Sequence, residues 1–279
     1  WEAGLPEGCF QTVVGDSSQG KSLLTNPVHG VFFTGSYAAG QNIVRQCSDR
    51  LVHSGFELGG KDPAYVSFDA DIQEASDSLT SGSFYNSGQS CCAVERIYVH
   101  GDVYDDFVAA FSERAKELKV GDPTLEETEL GPLSRREQMP FLDSQVTDAL
   151  EKGASAVVEG GQTKVNGKGW FYSPSVFVNV NHQMRLMTEE SFGPVIGIQK
   201  VKDDQEAVEK MNDTHYGLTA GVFTKEEDRA KWILERVDAG TVYHNLCDRV
   251  SPFVPWSGRK NSGLGSTLSE IGIRSFTRP

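Results

Sequence analysis

Apolar residues gather into short runs at positions 10–14, 30–33 and 97–99, each bounded by polar or turn-forming residues. Runs of that length read as buried strands. Between them lie longer stretches with apolar positions at helical spacing, which predict helices at about 38–51, 72–85, 103–118, 135–152, 205–211 and 226–237. Within the third, Phe107, Ala110 and Phe111 mark the core-facing stripe. Strands alternating with helices predict an α/β fold built on a parallel sheet. Residues 153–168 are rich in glycine and carry Lys164-Val165-Asn166-Gly167-Lys168, a pattern for a strand followed by a hairpin or surface loop. No internal repeat is visible. A change of domain is expected near Gly59 and Gly60, where glycine lets the chain turn from one sheet to the next. The piece before it is small for an independent nucleotide-binding domain, which usually has two βαβαβ halves.

Composition narrows the classes. The chain has 279 residues, 38% hydrophobic and 23% charged, enough to bury a sizeable core in one large or two modest domains. A formal net charge of -13 argues against a nucleic-acid backbone or an anionic membrane surface as the main partner and favours a small neutral ligand. No apolar stretch approaches the roughly 20 residues of a membrane span. The start, Trp1-Glu2-Ala3-Gly4-Leu5-Pro6, has neither a basic nor an apolar signal region, so export is not expected. Five scattered cysteines without a Cys-x-x-Cys fit a reducing compartment, the cytoplasm. The six histidines show no ligand spacing, and no metal site is expected.

The chemistry concentrates in a few tracts. Gly88-Gln89-Ser90-Cys91-Cys92 offers a thiol after a turn, and Glu57 in Glu57-Leu58-Gly59-Gly60-Lys61 offers a carboxylate. A thiolate attacks carbonyl carbon better than a hydroxyl does near neutral pH, and a carboxylate in a dry pocket can take a proton from water. Neighbouring residues on extended chain face opposite ways, so at most one of Cys91 and Cys92 lines a cleft; spacing alone does not choose between them. Phe32-Phe33-Thr34-Gly35-Ser36 ends a strand and opens a helix. That suits a pyrophosphate at the helix N-terminus, or simply a tight turn capped by Ser36. The usual Gly-x-Gly-x-x-Gly is absent. Glu189-Glu190-Ser191-Phe192-Gly193-Pro194 places carboxylates and a ring before a turn. It reads as a ribose and ring contact or as an acidic surface turn plugged by Phe192. Residues 216–223 read as a loop feeding a core strand, and 255–265 as a glycine-rich loop.

Taken in order, Phe33-Thr34-Gly35-Ser36, Glu57-Leu58-Gly59-Gly60-Lys61, Gly88-Gln89-Ser90-Cys91, Glu190-Ser191-Phe192-Gly193-Pro194 and Ser262-Gly263-Leu264-Gly265 resemble the NAD(P)-dependent aldehyde dehydrogenase superfamily across nearly the whole chain. The resemblance implies a parallel-sheet catalytic domain at 60–262, a partial Rossmann-type coenzyme domain at 1–59, and a segment 263–279 packing back on them. It implies Cys91 as nucleophile and Glu57 as general base. Gly35, Ser36, Leu58 and Gly59 would lie beside NAD or NADP, with Glu190 on the nicotinamide ribose and Phe192 next to it. An aldehyde would be oxidised to an acid through a thioester on Cys91.

The same resemblance implies departures. Family members are usually longer, so the chain is expected to begin inside a coenzyme-domain helix, without the segments that carry an oxyanion-binding Asn and an adenosine-binding Lys. It would also stop, at Arg278-Pro279, before the strand by which subunits associate. A homo-oligomer, or association with a preceding segment, is expected. His244-Asn245 stands where many relatives have Trp-Asn, and Pro255-Trp256-Ser257 where Pro-Phe-Gly is common, both on the substrate side. Two other functions fit the same fold: a cofactor-independent thiol esterase, and a non-catalytic assembly protein.

Overall fold

The computed structural model describes residues 4–277. Trp1 to Ala3 and Arg278-Pro279, on which the expectations about the chain's start and finish rest, lie outside them.

The apolar run at 10–14 does not form a strand. It has no regular structure, no strand among the described residues pairs with it, and Val14 is 92% exposed. It leads instead to Asp16, which accepts from Ser18 N at 2.7 Å and, with Gln19, forms a capping box. That box opens α1 (Ser17–Leu24), a helix the apolar pattern does not announce because it has no buried residue. Next come β1 (Gly30–Thr34), α2 (Tyr37–Cys47) and β2 (His53–Glu57). The run at 30–33 is a strand, but only half-buried, because β1 is the edge of a small sheet. Helix α2 stops four residues short of the expected end, where Arg45 O accepts from Ser48 N and Leu51 turns into solvent.

After Gly59-Gly60 the chain enters a second, larger sheet. Its elements run β3 (Asp62–Val66), α3 (Ile72–Phe84), β4 (Val94–His100), α4 (Tyr104–Glu117), α5 (Gln138–Glu151), β5 (Ser155–Val158), β6 (Gly161–Val165), β7 (Lys168–Ser173), β8 (Ser175–Val178), α6 (Arg185–Thr188), β9 (Val195–Val201), α7 (Asp204–Asn212), β10 (Tyr216–Gly217), β11 (Thr219–Phe223), α8 (Glu227–Leu234) and β12 (Thr241–His244). Seven of the strands form one sheet in the order β12-β11-β3-β4-β9-β8-β5, parallel throughout except for the β5–β8 pair. Both faces are covered, as a parallel sheet requires. Ala64, Val66, Ile97 and Val99 point to one side, where Leu79 and Phe84 of α3 and Phe107 and Phe111 of α4 pack. Tyr65 and Tyr98 point to the other, with Leu142 of α5, Met211 of α7 and Ile233 of α8. The period of two along the strands thus divides the core into two layers.

Strand β5 is followed by the β6–β7 hairpin, whose Asn166-Gly167 corner has φ of 51° and 73°, the turn that suits the twist of a two-residue hairpin. The chain closes with β13 (Arg259–Lys260), β14 (Gly263–Leu264) and α9 (Ser269–Arg274). Strand β14 returns to the small sheet and pairs antiparallel with β2, placing Gly263 opposite Glu57. The small sheet therefore reads β1-β2-β14, with β1 and β2 parallel.

Candidate active site

The two sheets meet around a cavity of about 430 Å³ lined by Thr34, Gly35, Ser36, Glu57, Leu58, Gly59, Cys91, Arg135, Gln138, Phe141, Glu190 and Phe192. All eight site residues expected from the sequence fall on this one surface, although they come from segments up to 157 positions apart (35 to 192).

The thiol is delivered by a tight loop. Three consecutive residues, Asn86, Ser87 and Gly88, have φ of 51°, 59° and 70°, which folds the chain back after α3. Such a run is held only where side chains over-determine it. Here Ser87 Oγ donates to Gly131 O at 2.9 Å, Asn86 Nδ2 donates to Gln89 O at 3.0 Å, and Gln89 Oε1 accepts from Ser134 N at 2.8 Å. Cys91 and Cys92 then occupy a turn closed by Ala93 N donating to Ser90 O at 3.2 Å, rather than extended chain. The turn still separates them: Cys91 is half-buried on the cavity wall, and Cys92 is buried with Leu218 and Trp256. Cys92 Sγ donates to Asp248 Oδ1 at 2.8 Å. The hydrogen bond between the two sulfurs pulls the Cys91 thiol below its ordinary pKa and pushes the Cys92 thiol up; burial and the Glu57 charge oppose the shift at Cys91, and the Cys91 amide assists it.

Glu57 ends β2, and its carboxyl faces the same cavity. Burial pushes its pKa up, offset in part by hydrogen bonds from Thr267 and Trp256; the Thr267 Oγ1 bond to Oε1 is 2.7 Å. A carboxylate raised in this way is a better proton acceptor once ionised. The backbone behind it is fixed by Ser262: its carbonyl accepts from Leu58 N at 2.9 Å and its hydroxyl from Gly217 N at 2.9 Å. The 262–265 segment thus supports the Glu57 strand from behind. His244 and Asn245 do not reach the cavity either. His244 Nε2 lies 2.9 Å from Thr224 O, and Asn245 bonds both N and O of Thr224, clamping the end of β11.

Glu190 arrives from the opposite side. Its Oε1 accepts from Gly60 N at 3.1 Å, and its carboxylate fills the space where a Cβ on Gly59 would stand. A Cβ on Gly60 would sit 2.6 Å from Cys91 O. The two glycines are therefore a requirement of close approach, bringing the Glu57, Cys91 and Glu190 segments together. Burial, followed by the charge of Glu95, pushes the Glu190 pKa up to about 7. Gly35 and Ser36 sit where β1 hands over to α2; Ser36 Oγ accepts from Ala39 N at 3.3 Å, which makes it the N-cap. The turn is thus capped by Ser36, and the α2 N-terminus, with its positive partial charge, stands at the cavity wall.

Sequence reasoning missed Thr34, Arg135, Gln138 and Phe141, which also line the cavity. Gln138 and Phe141 are three apart at the start of α5, so they share one helix face, and Gln138 Nε2 donates to Ser191 O at 2.5 Å. Nothing in their local pattern marks them. Glu95 was passed over too, though two charges, Glu95-Arg96, in strand β4 are a signal, and Lys61, which the sequence also offers as a partner for Glu57, pairs with Glu95 instead because β3 and β4 are neighbours. Among the described residues, no group of three His, Cys, Asp or Glu side chains is placed to hold a metal ion, and no helix is long and apolar enough to cross a membrane.

A model of the aldehyde dehydrogenase family matches residues 1–279. The chain belongs to the aldehyde dehydrogenase family. Succinate-semialdehyde dehydrogenase [NADP(+)] 1 of Mycobacterium ulcerans (strain Agy99) is 38% identical over 275 residues, covering 98% of this chain and 60% of that protein. Succinate-semialdehyde dehydrogenase [NADP(+)] of Mycobacterium avium (strain 104) is 39% identical over 274 residues, covering 98% and 58%. Among solved structures, a lactaldehyde dehydrogenase superposes with a TM-score of 0.95 at 31% identity, covering 99% of this chain and 58% of its own. The NADP-dependent glyceraldehyde-3-phosphate dehydrogenase of Bacillus halodurans C-125, complexed with NADP, gives 0.92 at 36% identity, covering 99% and 57%. This aldehyde dehydrogenase family chain thus spans about 60% of the length of the curated relatives it matches, and its α/β architecture is the one found in the solved aldehyde dehydrogenases it superposes on.

Proposed function

We propose that this cavity oxidises an aldehyde to a carboxylic acid with NAD or NADP, Cys91 acting as nucleophile and Glu57 as general base. The observation that carries the reading is that the Cys91 thiol, its pKa lowered from the ordinary value, and the Glu57 carboxyl open onto one cavity together with a helix N-terminus and the Glu190 carboxylate. Curated relatives are named for NADP, and neighbours are solved with NAD or NADP. The residues present fit such a cofactor: the α2 amides beyond Gly35 and Ser36 for the pyrophosphate, Glu190 Oε2 for ribose hydroxyls, and Phe192 and Leu58 against the nicotinamide end.

In this reading Cys91 Sγ adds to the carbonyl carbon, and the Cys91 amide holds the resulting oxyanion. When bound, the nicotinamide supplies the hydride acceptor. That leaves a thioester on Cys91. Glu57 then takes a proton from water, the water oxygen bonds to the acyl carbon, and the C–S bond breaks to return the thiolate. Cys92, whose proton is committed to Asp248, stays out of the reaction.

The division that goes with this reading is a partial coenzyme domain at 1–59, a catalytic domain at 60–262 and a returning segment at 263–279, supported by the change of sheet at Gly59-Gly60 and the return of β14. Association with another copy or with a preceding segment, in the cytoplasm, belongs to the same proposal. It would cover exposed apolar side chains such as Phe253, Ile273 and Phe276.

The test is nicotinamide reduction with a panel of aldehydes. Cys91→Ala should lower the rate by roughly 10⁴-fold or more, and Cys92→Ala by less than about tenfold. Equal losses for the two would sink the assignment of the nucleophile. Ester turnover that needs Cys91 but no nucleotide would favour the thiol-esterase reading instead.

A further inference from the structure

We propose that the buried Lys61–Glu95 ion pair is a positioning device for the nucleotide, holding the Glu190–Phe192 turn in the conformation that aims the Glu190 carboxylate over Gly59-Gly60 into the cavity. The inference rests on the nucleotide reading of the cavity and extends it to two residues that touch neither cofactor nor substrate.

The geometry is specific. Lys61 Nζ lies 2.6 Å from Glu95 Oε2, and the two residues are 0% and 4% exposed. The Glu95 carboxylate spends its oxygens on the turn: Oε2 also accepts from Ser191 N at 2.7 Å, and Oε1 accepts from Phe192 N at 2.9 Å. Lys61 Nζ adds a bond to Ser191 Oγ at 3.0 Å. Four bonds thus join the pair and the two residues after Glu190. Phe192 has φ of 48°, a conformation an aromatic residue keeps only where its surroundings fix it. Removing the carboxylate leaves two buried amides without their acceptor and frees Phe192 to relax toward negative φ, carrying Glu190 with it.

Energetics point the same way. A buried ion pair is seldom more stabilising than apolar residues of the same volume, so its value lies in what it orients. Strand β4 is otherwise a packed core strand in which an apolar residue at position 95 would fit the pattern of its neighbours. Burial pulls the Lys61 ammonium below its ordinary pKa, opposed chiefly by Glu95, so the ammonium depends on that carboxylate.

The pair also sets when Glu190 can work. Groups facing the Glu190 carboxyl are Glu95 and Lys61 from behind, Cys91 from the loop before β4, the Gly60 amide, and Tyr216 of β10. The negative charge on Glu95 is the second-largest cause, after burial, of a pKa near 7. Only the ionised form accepts two ribose hydroxyls, so nucleotide affinity should rise as pH increases through about 7.

The experiment uses the chain with Glu95→Gln, Lys61→Met and the double variant Lys61→Met/Glu95→Leu. It measures NAD and NADP affinity by calorimetry from pH 5.5 to 8.5 and amide exchange without nucleotide. Each variant should weaken nucleotide binding by about tenfold or more at pH 8, and Ser191 and Phe192 amides should exchange faster while β3 and β4 keep their protection. In Glu95→Gln the pH midpoint of the remaining affinity should also move down, because a negative neighbour is gone. The double variant leaves no buried unpaired charge, so it tests the idea if a single variant fails to fold. A folded variant that binds nucleotide as tightly as the parent, with unchanged exchange at 191–192, overturns the proposal. A parent that binds no nucleotide overturns the cofactor reading, and then exchange at 191–192 alone decides whether the pair anchors the turn.

Discussion

Every residue of β3 and β11 is buried, and β4 is buried up to its last position, whereas β1 alternates between half-buried and exposed and β2 has a single buried residue, Phe56. The large sheet is sealed by helices on both faces; among the described residues the small one ends at β1 and is closed on its other side by two residues of β14. The cavity draws from both. Cys91 and Glu190 come from loops of the large sheet, while Glu57, Gly35 and Ser36 come from the small one. With the proposed nucleophile on a deep scaffold and the proposed base on a shallow one, activity should fail before the fold does.

The largest effect that tests this contrast is on stability. Leu79 is fully buried between α3 and the large sheet, so Leu79→Ala should cost about 2–5 kcal/mol and lower the melting temperature of the whole chain. Phe56→Ala removes a ring that faces Phe33 across the small sheet. It should instead open residues 30–57 and 263–264 to amide exchange while β3, β4 and β11 keep their protection. A single cooperative transition lowered equally by both substitutions would show that the two sheets are one unit and dissolve the comparison.

A smaller effect sharpens it. Thr267 reaches Glu57 from the returning segment, and its hydrogen bond favours the ionised carboxylate. In Thr267→Val the Glu57 pKa should rise further, because the larger of the two hydrogen bonds that oppose burial is gone. A base with a higher pKa is protonated over more of the acid range, so the acid limb of the pH–rate profile moves to higher pH. Turnover at neutral pH should drop by up to about tenfold, with thiol alkylation at Cys91 unchanged. Movement of the limb to lower pH would contradict the assignment of Glu57 as the base.

Legibility in the sequence follows the same division. The large sheet was readable because burial on both faces leaves continuous apolar runs such as Ile97-Tyr98-Val99 and helices with full apolar stripes such as α4. In the region before Gly59 the same reasoning misfired: Phe10 to Val14 is as apolar as a strand, yet among the described residues no strand pairs with it. Helix α1, stabilised by its cap rather than by a buried face, left no apolar pattern to read. The tracts around Glu57, Cys91, Ser36 and Glu190 were legible as chemistry with rival readings beside them, and ordered resemblance was needed to choose among those readings and to add Leu58 and Gly59. Cys91 and Cys92 could not be told apart from spacing, since what separates them is a turn and the distant Asp248. Gln138 and Phe141 were illegible because what brings them to the cavity is the packing of α5, not any feature of their neighbours. Lys61 and Glu95 lie 34 positions apart, and their pairing depends on β3 and β4 being adjacent.

The smallest stability effect is at Ser36, and it separates structure from chemistry on the shallow side. The Ser36 cap bond to Ala39 N is long, at 3.3 Å, and exposed, so Ser36→Ala should destabilise by about 0.5 kcal/mol, the low end for a cap. Ser36→Asp keeps a capping oxygen and adds a negative charge where the α2 amides present positive partial charge, which favours the helix by a few tenths of a kcal/mol or about 1 at most. If those amides serve only α2, neither substitution touches nucleotide binding. If they receive a pyrophosphate, the Asp variant puts a carboxylate in competition with it, and affinity for NAD and NADP should fall by about tenfold while the melting temperature holds or rises. Opposite signs for stability and affinity in one variant cannot come from unfolding, so Ser36→Asp tells a binding wall from a turn that merely starts a helix.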